Sequence, residues 1–144
     1  MFLEFKENTS DSKKGIPLIP TNAIAGLSSG SISIKENDIQ QYYNVPDFTN
    51  VDFMIRVKGS SMYPKYNSGD VVACRLINDS KFLQWNKVHI VATKDQGVLI
   101  KRLKQSNDDD CLLAVSDNQS YDPFNIPKEE ILNIALVIGV IRVE

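Results

Sequence analysis

The chain has 144 residues, 42% of them hydrophobic and 24% charged, with a formal net charge of −2. That length suits one compact domain with its own core rather than two of ordinary size, and the slightly acidic balance gives the domain no general attraction to polyanions, which argues against strong DNA binding by this domain alone. The most apolar window, Ile131 to Ile141, is 11 residues long and contains Asn133, short of the roughly 18 or more that a membrane-crossing helix needs.

Residues 1–14 are polar after a short apolar start and hold no sustained period, so a flexible tail or linker remnant is expected there, with one domain over residues 15–144. From Gly15 onward, short runs rich in Val, Ile and aromatics alternate with Gly, Pro, Asn and Asp, and long helical periods are missing. The expectation is an all-β domain of compact, curled sheets with little or no helix. Pro17 and Pro20 make Ile16 to Ile24 an edge or wandering extended segment, and the small residues from Ala25 to Ser31 behind it predict flexible chain. Phe53, Ile55 and Val57 alternate with Met54, Arg56 and Lys58, a strand with one apolar face that delivers the chain to a turn at Gly59 to Pro64.

Val71 to Leu76 is a further strand, and Val88 to Thr93 with Val98 to Leu103 predict a hairpin around Lys94 to Gly97. Cys111 to Val115 and Ala135 to Val143 complete the set, with Asp108 to Asp110 as a solvated loop tip. Tyr42, Tyr43, Phe48 and Trp85 read as core or interface residues. Cys74 sits in an apolar run and reads as core. Neither it nor Cys111 has metal-ligand spacing, so no metal and no cofactor are expected. With no charged-then-apolar leader and no sign of a disulfide framework, the expected setting is a reducing cytoplasm without a membrane anchor.

Two residues are candidates for the chemistry: Ser61, which by itself reads equally as turn chemistry between Gly59 and Pro64, and Lys101, which by itself reads equally as half of an exposed basic pair with Arg102. A serine hydroxyl is a poor nucleophile at neutral pH and needs a base to take its proton. The sole histidine, His89, lies inside the run Val88-His89-Ile90-Val91 and reads as an ordinary strand residue. The alternative base is a lysine made neutral by burial. In Val98-Leu99-Ile100-Lys101-Arg102-Leu103, alternation puts Lys101 on the face of Leu99 and Leu103. Moving a lysine pKa from about 10.4 to near 7 takes roughly 4 to 5 kcal/mol of differential desolvation, which an apolar pocket closed by a docked peptide supplies.

Three elements then point to one family. The text Val57-Lys58-Gly59-Ser60-Ser61-Met62-Tyr63-Pro64, followed by Ser68-Gly69-Asp70-Val71-Val72, resembles the serine box of LexA-like and phage-repressor peptidases. Val98 to Lys104 resembles their lysine box, 40 residues beyond Ser61, and Ser116 to Pro123 resembles their downstream turn. The resemblance spans about Gly15 to Glu144. It implies a self-cleaving serine peptidase with Ser61 as nucleophile and Lys101 as general base.

In that family the bond cut is an Ala-Gly or Cys-Gly bond of the protein's own chain upstream of the serine, and this sequence offers Ala25-Gly26 within a cleavage region of residues 16–31. The resemblance also implies a homodimer, here expected through the C-terminal strand, and a RecA filament as possible co-inducer. DNA contact would be made only through a helix-turn-helix domain that this chain has no room for. The wording of Ile16 to Pro20 and of Tyr42 to Phe48, and a tail ending Asp11-Ser12-Lys13-Lys14 like a cut linker, favour a phage-type repressor. A UmuD-like protein of error-prone repair, activated by the same cut, is the alternative, followed by a catalytically silent dimerisation module. Signal peptidase, which shares Ser-Met-x-Pro and a lysine base, needs a membrane anchor that the sequence does not show.

Overall fold

A computed structural model describes residues 2–4, 15–27, 33–35, 38–39, 41–78 and 83–144. Most of the expected tail, and the Ser28 to Ser31 part of the expected flexible stretch, lie outside them. Within the tail, Phe2–Glu4 form β1, which pairs antiparallel with β3, Ser33–Lys35.

The remaining strands build one nine-stranded mixed sheet. They are β2 (Ile16–Leu18), β4 (Gln41–Tyr43), β5 (Phe53–Arg56), β6 (Val71–Ile77), β7 (Lys87–Thr93), β8 (Val98–Gln105), β9 (Cys111–Val115), β10 (Phe124–Pro127) and β11 (Ile131–Ile141). Their order across the sheet is β10-β9-β8-β7-β11-β6-β5-β2-β4, with β2 and β5 parallel and every other neighbouring pair antiparallel. The helical elements include two 3-10 turns, Thr21–Gly26 and Lys128–Glu130, and Asp38 is also in 3-10 conformation. The all-β expectation holds.

Burial follows the alternation of side chains along each strand. Phe53 and Ile55 on β5, Val72 and Cys74 on β6, Val88, Ile90 and Ala92 on β7 and Ile100 on β8 pack on one face. The opposite face is covered at two ends, by Val91, Leu103, Leu112, Ala114 and Ile126 and by Leu18, Met54, Val71 and Ala73. Met54 is therefore fully buried rather than on an open face, because β2 and β4 extend the sheet beyond β5 and supply a second apolar cover. Cys74 is a core residue, its thiol pushed far up by burial. Trp85 is 41% exposed and belongs to no core cluster among the described residues, whereas Tyr43 and Phe48 pack on the second face.

Two expected boundaries shift. The strand expected from Ala135 starts at Ile131, with a register irregularity between Ile131 and Asn133 that absorbs the polar residue. The segment expected to wander from Ile16 to Ile24 is a three-residue strand followed by a 3-10 turn. Pro20, at φ −70° and ψ 150°, stands as the residue before that turn, where its missing N–H leaves no gap in the bonding. β11 lies inside the sheet, between β6 and β7. Its pairing with β7 ends at Leu136 while that with β6 continues to Ile141.

Candidate active site

β5 ends at Arg56 and releases the chain into the turn that carries Ser61. Gly59 takes φ +83° there, a left-handed conformation open to glycine at little steric cost. The turn closes on itself: Tyr63 N–H donates to the Ser60 carbonyl (3.1 Å) and Tyr66 N–H to the Met62 carbonyl (2.9 Å). Its return limb is joined to the start by Val57 N–H to the Asp70 carbonyl (2.8 Å) and Gly69 N–H to the Val57 carbonyl (2.9 Å). Met62, 1% exposed, pins the turn into the core and leaves Ser61 half-buried at the surface of the domain.

Asp70 anchors the back of this loop. Its carboxylate accepts from the Arg142 guanidinium at 2.6 to 3.1 Å and from Asn67 N–H at 2.8 Å, and Arg142 also donates to the Lys65 carbonyl. The Arg142 hydrogen bonds hold the Asp70 carboxyl below the usual carboxylate range.

Lys101 sits mid-strand on β8, directly opposite His89 on β7. It is 7% exposed, and burial lowers its pKa from the ordinary lysine value. The sequence expectation for its environment holds: Leu103 beside it is fully buried and Leu99 packs in the same cluster. On the other side, β9 pairs with β8 only up to Val115 opposite Arg102. Beyond that point the chain leaves as the loop 116–123, which begins with buried Ser116.

That loop reaches both residues. The Asn118 N–H donates to the Ser61 carbonyl (2.9 Å) and the Asn118 amide Nδ2 to the Ser60 carbonyl (2.9 Å). Asp117 N–H points at the Met62 thioether (3.5 Å), and the Tyr121 hydroxyl shares a 3.2 Å hydrogen bond with Ser60 Oγ. Tyr121 then turns its ring over Lys101, with Nζ 5.6 Å from the centroid. Arg102, the next residue on β8, holds the loop in place through a two-point contact with Asp117 (Nε to Oδ1 3.0 Å, Nη2 to Oδ2 2.9 Å). Ser61 and Lys101, chosen from sequence, thus meet the same eight-residue loop. Asn118, Tyr121 and Arg102 had not been singled out, although the downstream turn containing the first two was visible as a motif.

His89 is fully buried; its Nδ1 bonds the Lys87 carbonyl at 2.7 Å, and burial lowers its pKa, so the ring is neutral near pH 7. Its Nε2 has no hydrogen-bond partner among the described residues. The expectation of an ordinary strand residue places it correctly on β7, where one ring nitrogen is bonded and the other is buried.

Ala25 and Gly26 close the 3-10 turn Thr21–Gly26 and are both exposed. The residues on either side are anchored, Ile24 at 0% and Leu27 at 6% exposure, in the core cluster that also holds Val57 and Met62. A cavity of about 160 Å³ runs between Thr21 at the start of that turn, Val57 and Lys58 before the serine turn, and Val98 to Ile100 of β8. No group of His, Cys, Asp and Glu among the described residues could hold a metal ion, and no described helix is long and apolar enough to cross a membrane.

A serine on a tight turn and a buried lysine are thus both in contact with one loop. Residues 14–140 match the Peptidase S24-like family, and the chain belongs to that family. Its relatives include the LexA repressor of Shewanella sp. strain MR-7, 29% identical over 142 residues, and that of Shewanella sp. strain W3-18-1, 29% identical over 134. The LexA repressor of Pseudomonas aeruginosa strain LESB58 is 26% identical over 144 residues. These alignments take in 94%, 89% and 96% of this chain but 64%, 60% and 65% of the relatives, so the chain spans under two thirds of their length.

Proposed function

We propose that this chain is the self-cleaving serine peptidase domain of a LexA-like or phage-type repressor, which cuts its own Ala25-Gly26 bond to end repression. Lys101 in its neutral form takes the Ser61 proton as Ser61 Oγ bonds to the Ala25 carbonyl carbon. The oxyanion is held by backbone N–H groups, that of Ser61 among them. The C–N bond then breaks, the Lys101 ammonium returns the proton to the Gly26 nitrogen, and Gly26 becomes a new N-terminus. Lys101, neutral again, takes a proton from a water whose oxygen bonds to the Ala25 carbonyl carbon; the ester C–O bond breaks and Lys101 returns the proton to Ser61 Oγ.

The observation that carries this reading is the buried Lys101, with its pKa lowered by burial, joined through Tyr121 to the Ser60-Ser61 turn. Attachment of the substrate to the enzyme supplies selectivity, since tethering raises effective concentrations to about 10⁵ M or more for well-oriented groups.

Repressor function brings further proposals. DNA is bound by a domain outside this chain, a RecA filament acts as co-inducer, and the setting is cytoplasmic. The homodimer forms through the C-terminal strand, where residues 137–141 continue along β6 after the pairing with β7 has stopped and Val140 and Val143 are exposed.

The test is a mass measurement after incubation near pH 10, where a free lysine is about half deprotonated. The expected result is two fragments meeting between Ala25 and Gly26 in the unaltered chain, and an intact chain for Ser61→Ala and Lys101→Ala. Cutting that persists at the same bond in either variant overturns the dyad.

A further inference from the structure

A cut between Ala25 and Gly26 leaves β2 on the shorter piece, residues 1–25, and every other strand of the nine-stranded sheet on residues 26–144. Yet β2 is not an edge strand. It stands between β5 and β4, and both neighbours belong to the longer piece. On one side Ile16, Pro17 and Leu18 pair with Tyr43, Tyr42 and Gln41 of β4. On the other, Leu18 pairs with Met54 of β5, and the Ile19 N–H donates to the Met54 carbonyl at 3.0 Å. The pairing of β1 with β3 also joins the two pieces. Because β4 is the last strand of the sheet beyond β2, losing β2 detaches β4 as well.

Side chains add to the hold. Successive residues of an extended chain point to opposite faces, and Leu18 and Ile19 enter different clusters. Leu18, 1% exposed, belongs with Met54, Val71 and Ala73, and Ile19, 2% exposed, with Phe53, Ile55 and Val72. Gly15 leads into this slot at φ +92°, so close to β4 that a Cβ there would lie 2.6 Å from Asn44 Oδ1 and nearer still to the Tyr43 carbonyl oxygen. None of these contacts uses the peptide bond between Ala25 and Gly26, both of which are exposed.

We propose that the slot between β5 and β4 is a strand-binding site whose ligand is the chain's own Gly15 to Ile19, and that it keeps the shorter piece in place after the cut. This rests on the self-cleavage reading for its consequence, but not for the binding itself. The site bonds backbone on both sides and takes one apolar side chain on each face, so its ligand class is an extended apolar strand. The cut then turns a covalent tether into a complex held by β2. Repression ends only when β2 is withdrawn, a local unfolding that uncovers apolar surface on both faces of the sheet. Cutting and release are two steps with separate rates, and release lags behind the cut.

The test cuts the full chain and asks whether the pieces stay together. Unaltered chain is incubated near pH 10 until cut, returned to neutral pH, and followed by size exclusion with native mass spectrometry. The expected species holds both pieces in equal amounts and comes apart in urea. Leu18→Ala leaves a hole in the slot and should shed residues 1–25 at least about tenfold faster, whereas Leu18→Met, which keeps the volume, should shed them at close to the unaltered rate. A longer piece that runs alone as soon as it is cut overturns the proposal. So does equal shedding by Leu18→Ala and the unaltered chain. If the chain does not cut itself, the self-cleavage reading fails while retention is still decided: a site-specific protease sequence placed between Ala25 and Gly26 of the Ser61→Ala chain supplies the same break and the same readouts. Should Leu18→Ala unfold before it is cut, Gly15→Ala, which presses on Tyr43 and Asn44, replaces it under the same criteria.

Discussion

The Tyr121 ring lies over the Lys101 ammonium, 5.6 Å from centroid to Nζ, and this contact is the sole partner of the Lys101 head group among the described residues. Ring and burial have opposed effects on that charge. A π face favours the ammonium, whereas the burial it shares in favours the neutral amine, and burial is what lowers the pKa. His89, opposite on β7, is neutral, and Asp117 in the neighbouring loop is already engaged by Arg102, so neither neighbour supplies Lys101 with a counter-charge.

The first prediction follows from that burial. Between the lowered pKa of Lys101 and its ordinary value of 10.5, the unfolded chain binds more protons than the folded one, so stability rises with pH across that window. Lys101→Met removes this dependence. Calorimetry should show Lys101→Met melting higher than the unaltered chain at pH 7, with the difference closing as pH rises through the window. The same substitution should lower the rate of the Ala25-Gly26 cut at least about 100-fold. A flat difference across pH would detach Lys101 from the titration.

The second prediction concerns the loop that joins the two residues. Asn118→Ala leaves its backbone N–H on the Ser61 carbonyl but removes the amide that bonds the Ser60 carbonyl and the acceptor for Ser120 N–H. Losing those side-chain bonds should cost about 1 kcal/mol of stability, read by urea unfolding. Cutting should slow about tenfold, because the serine turn is free to drift from Lys101. Asn118→Asp, which keeps the acceptor for Ser120, should recover stability more than cutting. Equal recovery of both would make Asn118 a purely structural residue.

Much of this site was legible before the fold was known, for identifiable reasons. Alternation along Val98 to Leu103 showed that Lys101 shares a face with leucines, and such local patterning survives into the structure because a strand has a strict two-residue period. The serine turn was legible from glycine, serine and proline chemistry. The 3-10 turn was not: six residues show no helical period, and Pro17 and Pro20 both argued for extended chain. The hydrogen bonds from Asn133 to the Ile24 and Leu27 carbonyls were out of reach, since they join residues more than 100 positions apart and nothing local to Ile131–Ile141 announces them. The buried second face of β5 was hidden for the same reason, because β2 and β4, which extend the sheet past it, come from elsewhere in the chain. The strand Phe124–Pro127, ending on a proline at the sheet edge, is too short to show any pattern.

The third prediction tests the anchor behind the serine turn through acid stability. Hydrogen bonds from Arg142 lower the Asp70 pKa from its ordinary 3.8, so the folded chain binds fewer protons at that group than the unfolded one. The stability this contributes is fully present above pH 3.8 and is lost as pH falls through the lowered value. Asp52 works in the opposite sense. Its carboxyl accepts from Leu76 N–H at 2.8 Å, but burial raises its pKa, so the charged form is held at a disadvantage above the ordinary carboxylate range. Asp70→Asn should therefore melt lower than the unaltered chain at pH 7, by several degrees, and the gap should narrow toward pH 2. Asp52→Asn keeps an acceptor for Leu76 and should melt as high or higher at pH 7, with the gap shrinking as pH falls. Melting curves from pH 2 to 7 for the two variants should thus converge on the unaltered chain from opposite sides. An Asp70→Asn curve parallel to that of the unaltered chain would mean that the Arg142 contact does not lower the Asp70 pKa.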